Sequence, residues 1–264
     1  MTPRTLTIVV PVFNEERRLH ALLEALHRDA DAVAERAGLE LTEVILVDDG
    51  STDGTAALLT AADDLGGRLS VERFPKNRGK GAAVRAGMLR ATGEVGLMTD
   101  VDLSTPLEEL LTLDAEIGNG ADVSIASRAL RESEIVTRQP KHRELMGKAF
   151  NVIVRTLVRV PWKDTQCGFK LFRLSTSRRL FELQSIDGFA FDMELLVLAR
   201  RLDLHVAEVP VRWIDNPDSR VGIVSSSAAM ALDALKIAVR SRRPLPMVET
   251  ESAGINRERE SPHT

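Results

Sequence analysis

Two aspartates, Asp100 and Asp102, stand one residue apart after an apolar run, in the segment LMTDVDLSTP (97–106). In an extended strand, residues two apart point to the same face, so both carboxylates would converge on one spot. Two carboxylates that close raise each other's pKa unless a cation lies between them. A divalent metal would fit there, because hard cations prefer oxygen ligands. An acidic turn that caps the next helix is the alternative, and the spacing alone leaves both interpretations open.

A second acidic segment, VDDGSTDGT (47–55), places Asp48 and Asp49 ahead of turn and helix-cap residues. A turn and a cap need only one acid. We therefore expect a buried carboxylate here to accept hydrogen bonds from a base edge or a ribose hydroxyl.

A basic segment, KNRGKG (76–81), crowds Lys76, Arg78 and Lys80 among small residues just before a predicted helix. Backbone amides, the helix dipole and Lys80 would together form an anion site. A solvated turn is the alternative.

The elements that must position these groups are short apolar runs alternating with amphipathic stretches. The predicted strands are 6–11, 43–49, 69–74, 94–100 and 121–127, and the predicted helices are 15–36, 51–65, 78–91 and 106–117. Strands that are apolar throughout and separated by helices indicate a parallel sheet covered on both faces. Ligands bind at the carboxyl ends of such strands. Three polar clusters fall there, namely Asn14-Glu15, Asp48-Asp49 and Asp100 with Asp102.

The second half of the chain is less regular. We expect a helix at 141–159, a buried loop or strand at 164–172, a helix at 187–202, a strand at 205–213 broken by Pro210, and a helix at 225–241. Residues 248–264 are polar without periodicity, which predicts a disordered tail. Asp192 and Glu194 follow the apolar segment GFAF at a helix start, where one could be a base of raised pKa or both could be N-terminal acids that suit the helix dipole.

Composition bounds the function. The 264 residues are 44% apolar and 28% charged, with a net charge of −4, which is ordinary for a soluble globular protein and gives no nucleic-acid signature. The one cysteine, Cys167, excludes an intrachain disulfide, and we expect it to be a small buried residue. We expect neither a signal peptide nor a transmembrane helix, so any membrane contact would come from the surface.

A basic stripe lies on the predicted helix at 141–159. Lys141, Lys148 and Arg155 are seven residues apart, nearly two turns, and an apolar face lies beside them. Such a helix suits a membrane surface. An ordinary packed helix with a solvated face remains the alternative.

The motifs PVFNEE, VDDGSTDGT, NRGKGAAVRAG and DVD, followed by SRA and DTQCGFKLF, resemble the family 2 glycosyltransferases. Over about residues 5–240 the chain is most similar to the dolichyl- or polyprenyl-phosphate β-glucosyltransferases and the dolichol-phosphate mannose synthases. The resemblance implies a GT-A fold of the α/β class, Rossmann-like, with a mostly parallel central sheet and helices on both faces. It implies one such domain over 1–247.

The resemblance also implies roles for individual residues. Those that would bind the nucleotide sugar are Pro11, Phe13, Glu15, Asp49, Lys80 and Asp100. Asp100 and Asp102 would hold Mg²⁺ or Mn²⁺ against the diphosphate. The implied reaction is an inverting transfer of a hexose, glucose from UDP-glucose, to a polyprenyl or dolichyl phosphate held by Arg128, Arg131 and Lys141.

Two alternatives stay open at this point. A soluble family 2 enzyme with a hydroxyl acceptor would need a base, either Asp192 or Asp164. A non-catalytic nucleotide-sugar binder would need none. For the lipid acceptor we expect a cytoplasmic protein that sits peripherally at the inner face of the cell membrane, with no nucleic-acid partner.

Overall fold

Strands and helices alternate through the first half of the chain. The structure is a computed structural model that describes residues 2–137, 155–214, 223–242 and 244–245. Its first elements are β1 (Arg4–Val12), α1 (Leu19–Arg36), β2 (Leu39–Asp48), α2 (Thr55–Ala61), β3 (Leu69–Arg73), α3 (Lys80–Arg90) and β4 (Val95–Met98). A 3-10 turn then leads into α4 (Leu110–Gly118), β5 (Val123–Ser127) and β6 (Glu134–Thr137).

The second half adds strands to this sheet and helices to one of its faces. Its elements are β7 (Lys170–Arg173), α5 (Leu174–Leu183), α6 (Phe191–Arg201), β8 (Val206–Pro210), β9 (Arg212–Ile214) and α7 (Ile223–Arg240). The central sheet has the order β3-β2-β1-β4-β7-β5-β8. Every pairing in it is parallel except those of β7, which runs antiparallel to β4 and β5. The mostly parallel sheet is therefore confirmed.

Two apolar cores lie on opposite faces of this sheet. Alternate residues of β1 serve different cores, with Ile8 in one and Val9 in the other. The first core is completed by α1, α2 and α4, and the second by α3, α5, α6 and α7. Both faces are covered, which explains why the strands are apolar throughout.

Pro210 breaks the strand, as predicted, and the structure adds that the chain changes sheet there. β8 pairs with β5 up to Pro210, and β9 then pairs with β6 in a separate two-stranded parallel sheet. A proline has no backbone N–H to continue a ladder.

Several predicted boundaries are wrong, and two of them bear on the predicted site. The fourth strand ends at Met98, so Asp100 and Asp102 lie in a turn, where Leu103 has a φ of 46° and its N–H donates to the carbonyl of Asp100 (3.3 Å). Strand alternation therefore does not set their direction. The helix predicted over 51–65 spans only Thr55–Ala61, because the segment before it bonds to the loop after β1.

Several predictions fall outside the described residues, among them Lys141, Lys148 and the polar tail at 248–264. Within the described ranges, none of the helices combines the length and the apolar character that a membrane crossing requires.

Candidate functional site

The loop after β1 meets the aspartate turn through Arg18. The guanidinium of Arg18 donates two hydrogen bonds to the carboxylate of Glu15, at 2.7 and 2.5 Å. Another of its nitrogens lies 3.8 Å from Asp102. Two of the three polar clusters predicted at the strand ends are thus joined by one cation.

Asp49, at the end of β2, holds the basic segment in place. It is 2% exposed and accepts hydrogen bonds from Asn77 Nδ2 (2.9 Å) and from the backbone N–H groups of Arg78 (2.7 Å) and Gly79 (2.8 Å). Burial raises the pKa of Asp49, while these amide donors oppose that rise. The two amides are occupied within the protein, so the predicted anion site does not include them.

The start of α3 requires glycine. Gly79 has a φ of 113°, and a Cβ atom there would lie 2.4 Å from the carbonyl oxygen of Asp187. This close approach brings the loop after α5 against the first turn of α3. Lys80 follows at once and points toward the aspartate turn.

Lys80 is the cation that faces Asp100. Its Nζ lies 2.6 Å from Asp100 Oδ1 and 5.9 Å from the centre of the Phe191 ring. Burial opposes the charge, but the carboxylates of Asp100 and Asp192 outweigh it and raise the pKa of Lys80. The ammonium group therefore stays protonated and is held against the aspartate turn.

The two aspartates of the turn fit a hard divalent cation. Their side chains are 35% and 17% exposed, and a Cβ atom at Gly168 would come within 2.1 Å of Asp100 Oδ2. The segment around Gly168 thus leaves just enough space for this carboxylate. Among the described residues, no cluster of three or more His, Cys, Asp or Glu side chains could hold a metal. Mg²⁺ is commonly held by one or two carboxylates together with substrate phosphates, which matches this donor set.

Arg128, after β5, is locked to Asp164. Its Nε and a terminal nitrogen donate to the carboxylate at 2.7 and 2.9 Å, its backbone N–H donates at 3.0 Å, and its guanidinium lies 5.6 Å from the Trp213 ring centre. Burial alone would raise the pKa of Asp164, but Arg128 overrides it and lowers this pKa to about 2. A carboxylate so strongly paired is a poor proton acceptor. Arg131 lies exposed just ahead of β6.

Asp192, in the first turn of α6, is paired with a lysine that is fully buried. Lys170 is 0% exposed, and its Nζ donates to Asp192 Oδ1 and to the carbonyl oxygen of Cys167 (2.6 Å). Burial raises the pKa of Asp192, and the charge of Lys170 opposes this. Cys167 is buried, as predicted, and burial raises the pKa of its thiol.

The remaining predicted nucleotide contacts lie on the first strand and its loop. Pro11 is half-buried and pairs with Val47 of β2, while Phe13 is 42% exposed. An exposed phenyl ring at the carboxyl edge of a parallel sheet offers a face on which a base could stack.

Sequence reasoning missed two residues that hold this site, Arg18 and Lys170. Arg18 stands three positions after Glu15, a spacing that favours a helical ion pair. Lys170 lies inside the apolar run CGFKLF, where a lone charge indicates a buried partner. Glu194, which the sequence offered as a base or as a helix N-terminal acid, instead accepts hydrogen bonds from the N–H groups of Ser185 and Ile186, at 2.9 and 2.7 Å, and so fixes the loop before α6.

Sequence comparison gives a consistent set of relatives. The profile of the family described as Glycosyl transferase family 2 matches residues 7–181. A dolichyl-phosphate beta-glucosyltransferase of Trichomonas vaginalis is 37% identical over 256 residues, which cover 93% of this chain and 74% of the relative. A protein of that same name from Dictyostelium discoideum is 34% identical, over 89% of this chain and 74% of the relative. The one from Homo sapiens is 32% identical, over 90% of this chain and 76% of the relative.

Solved structures share the fold. Glucosyl-3-phosphoglycerate synthase from Mycobacterium tuberculosis, crystallised with Mn²⁺, uridine diphosphate and glucosyl-3-phosphoglycerate, superposes with a TM-score of 0.62. The match covers 89% of this chain and 80% of that one at 19% identity. Mannosyl-3-phosphoglycerate synthase from Rubrobacter xylanophilus also superposes with a TM-score of 0.62. That match has 20% identity and covers 90% of this chain and 74% of that one. These likenesses show that the chain shares their fold.

Proposed function

This chain belongs to glycosyl transferase family 2 and is a glycosyltransferase, and we propose that it transfers glucose from UDP-glucose to a polyprenyl or dolichyl phosphate with inversion. The observation that carries the proposal is its similarity, over 93% of its length, to a dolichyl-phosphate beta-glucosyltransferase. The paired aspartates, the charged Lys80 and the locked Arg128 supply the groups that this reaction requires.

The donor would lie across the carboxyl ends of β1, β2 and β4. In this proposal the exposed ring of Phe13 stacks on the nucleotide base beside Pro11. Glu15 contributes by holding Arg18, and Asp49 contributes by fixing the loop that leads to Lys80. Lys80 then faces the diphosphate and stabilises the charge that develops as it leaves.

Asp100 and Asp102 are the residues that would hold Mg²⁺ or Mn²⁺ beside the diphosphate. A bound divalent cation supplies charge neutralisation to the leaving group. Their partners Lys80 and Arg18 orient both carboxylates before the donor binds. The Mn²⁺ crystallised with glucosyl-3-phosphoglycerate synthase supports this assignment.

The acceptor phosphate would be held by Arg128 and Arg131, with Lys141 as a third predicted contact outside the described residues. A phosphate monoester has a second pKa of about 6, so its oxygen is largely ionised at neutral pH and needs little help from a base. The two carboxylates predicted as bases, Asp164 and Asp192, are both paired with cations, which agrees with a reaction that needs no strong base. We propose that Asp164 positions Arg128, and that Asp192 positions Lys170.

A lipid acceptor places the reaction at a membrane surface. We propose that the protein works in the cytoplasm and contacts the inner face of the cell membrane peripherally. Arg155 belongs to the basic stripe predicted for this contact, while Lys141 and Lys148 lie outside the described residues.

A donor-by-acceptor screen tests the proposal. Purified protein is incubated with UDP-glucose, UDP-galactose or GDP-mannose, each with polyprenyl phosphate, with a hydroxyl acceptor and with water alone. We expect labelled sugar in the lipid phase from UDP-glucose only. Transfer to the hydroxyl acceptor at a higher rate would favour the soluble-acceptor alternative, and nucleotide binding without any transfer or hydrolysis would favour a non-catalytic binder.

A further inference from the structure

Three apolar side chains face outward in the second half of α7. Leu232, Leu235 and Val239 are 63%, 52% and 48% exposed, and their spacing of three and four residues places them in one stripe. The opposite side of the helix packs into the second core through Ala234 and Ile237. We call the three exposed residues the α7 stripe.

Cations border the α7 stripe. With 3.6 residues per turn, Lys236 and Arg240 fall along one flank, and both are exposed. Arg242 is exposed in the turn that follows. Asp233 is the one acid among residues 232–242, and it pairs with Lys236 at 2.7 Å. Apolar residues beside an excess of positive charge are typical of a helix that lies on an anionic membrane surface.

An exposed aromatic residue connects the α7 stripe to the donor site. A Cβ atom at Gly188 would lie 3.7 Å from Asp233 Oδ2, so this glycine approaches α7, and its neighbour Phe189 is 42% exposed. On the other side of the same loop, the carbonyl of Asp187 accepts a hydrogen bond from Ala82 N–H (3.2 Å). Ala82 lies in the first turn of α3, two residues after Lys80. The loop at residues 187–189 therefore connects the α7 stripe and Phe189 to the first turn of α3, which carries Lys80.

We propose that the α7 stripe and Phe189 form a surface that docks on an anionic lipid monolayer. This proposal deepens the proposed function, and the role given to the surface rests on that function. A polyprenyl phosphate keeps its hydrocarbon chain in the bilayer, so the enzyme must bring its donor site to the headgroups. Docking through α7 and Phe189 brings the donor site, which contains Lys80, to the membrane surface where the lipid phosphate lies.

Vesicle binding tests this surface. Leu232→Asp with Leu235→Asp should weaken binding to vesicles of phosphatidylcholine and phosphatidylglycerol by at least about tenfold, because two apolar side chains are lost and two negative charges gained. The control is Ala21→Asp with Ala32→Asp, which adds the same charge at exposed positions of α1, on the opposite face of the sheet. The control should bind as the wild type does. Both double variants should give the wild-type melting temperature within a few degrees.

A second acceptor separates docking from chemistry. With a short, water-soluble isoprenyl phosphate, the Leu232/Leu235 variant should transfer glucose at the wild-type rate. With polyprenyl phosphate in vesicles, its transfer rate should fall by the same factor as its affinity for the vesicles. Equal vesicle binding by variant and wild type would overturn the proposal. So would a wild-type dimer in light scattering that the variant converts to a monomer, since the α7 stripe would then be a contact between copies. If the variant loses vesicle binding while neither protein transfers glucose to any lipid phosphate, the surface stands and the proposed function fails.

Discussion

The buried pair of Arg128 and Asp164 allows an energetic prediction for the variant Asp164→Asn. Asparagine keeps the shape of the side chain and one carbonyl acceptor, but it removes the charge that receives three hydrogen bonds from Arg128 and one from the backbone N–H of Gln166. Removing one partner of a buried ion pair costs about 3–5 kcal/mol, and a charged hydrogen bond contributes about 1.5–3 kcal/mol. Because 34% of the Arg128 side chain is exposed and can be hydrated, we expect a loss of about 2–3 kcal/mol in the free energy of unfolding.

The pH dependence of this loss has a definite sign. Despite its burial, Asp164 has a pKa lowered to about 2 by Arg128, below its value in the unfolded chain. A lowered pKa stabilises the fold above the unfolded pKa, and this contribution disappears as pH falls through the folded pKa. The difference between wild type and Asp164→Asn should therefore be constant from neutral pH down to about pH 5, and shrink between about pH 4 and pH 2.

Urea denaturation at pH 7 and at pH 3 measures both quantities. The matched control is Asp29→Asn, the same substitution in the exposed ion pair with Arg28 (2.7 Å), where water screens both charges and we expect no change in the urea midpoint. Equal stability of wild type and Asp164→Asn at pH 7 would refute the argument. So would a difference that is as large at pH 3 as at pH 7 in a chain that still unfolds cooperatively.

Three further predictions concern the donor side of the site. Chelation, or Asp102→Asn, should abolish transfer while leaving the far-UV circular dichroism unchanged, and full activity in EDTA would exclude the metal role. Asp49→Ala should weaken nucleotide affinity in calorimetry more than it slows turnover of bound donor, because Asp49 acts through the loop at residues 77–79. Gly79→Ala should destabilise by more than about 1 kcal/mol, because the added Cβ lies 2.4 Å from a carbonyl oxygen at positive φ, whereas Gly118→Ala, with open space around it, should not. Equal melting temperatures for these two glycine variants would contradict that geometry.

The parallel part of the fold could be predicted because its signal is local. Runs such as LTIVV and EVILV are apolar on both faces, and each is followed by an amphipathic stretch, so the sheet with helices on both sides follows from periodicity. The convergence of Glu15, Asp49 and Asp102 at one edge follows in turn from the rule for parallel strands.

The antiparallel strand and the buried pairs depend on contacts that sequence spacing does not reveal. The strand Lys170–Arg173 inserts between β4 and β5. Its sequence is compatible with either a loop or a strand, so its place in the sheet is decided by tertiary packing. Arg128 and Asp164 are 36 residues apart, and no local pattern joins them. Asp100 and Asp102 follow β4, as the apolar run before them predicts, but they lie beyond its last residue, Met98, in a turn that depends on the positive φ of Leu103.

The configuration of the product tests the central claim most directly. Protein is incubated with UDP-glucose and polyprenyl phosphate, and the lipid product is isolated for measurement of the anomeric proton and its coupling to phosphorus by NMR. In-line attack by a phosphate oxygen on the α-linked donor predicts a single β-glucosyl phosphate. An α-linked product would contradict single displacement, and glucose found on a hydroxyl group, with the lipid phosphate unmodified, would contradict the assigned acceptor.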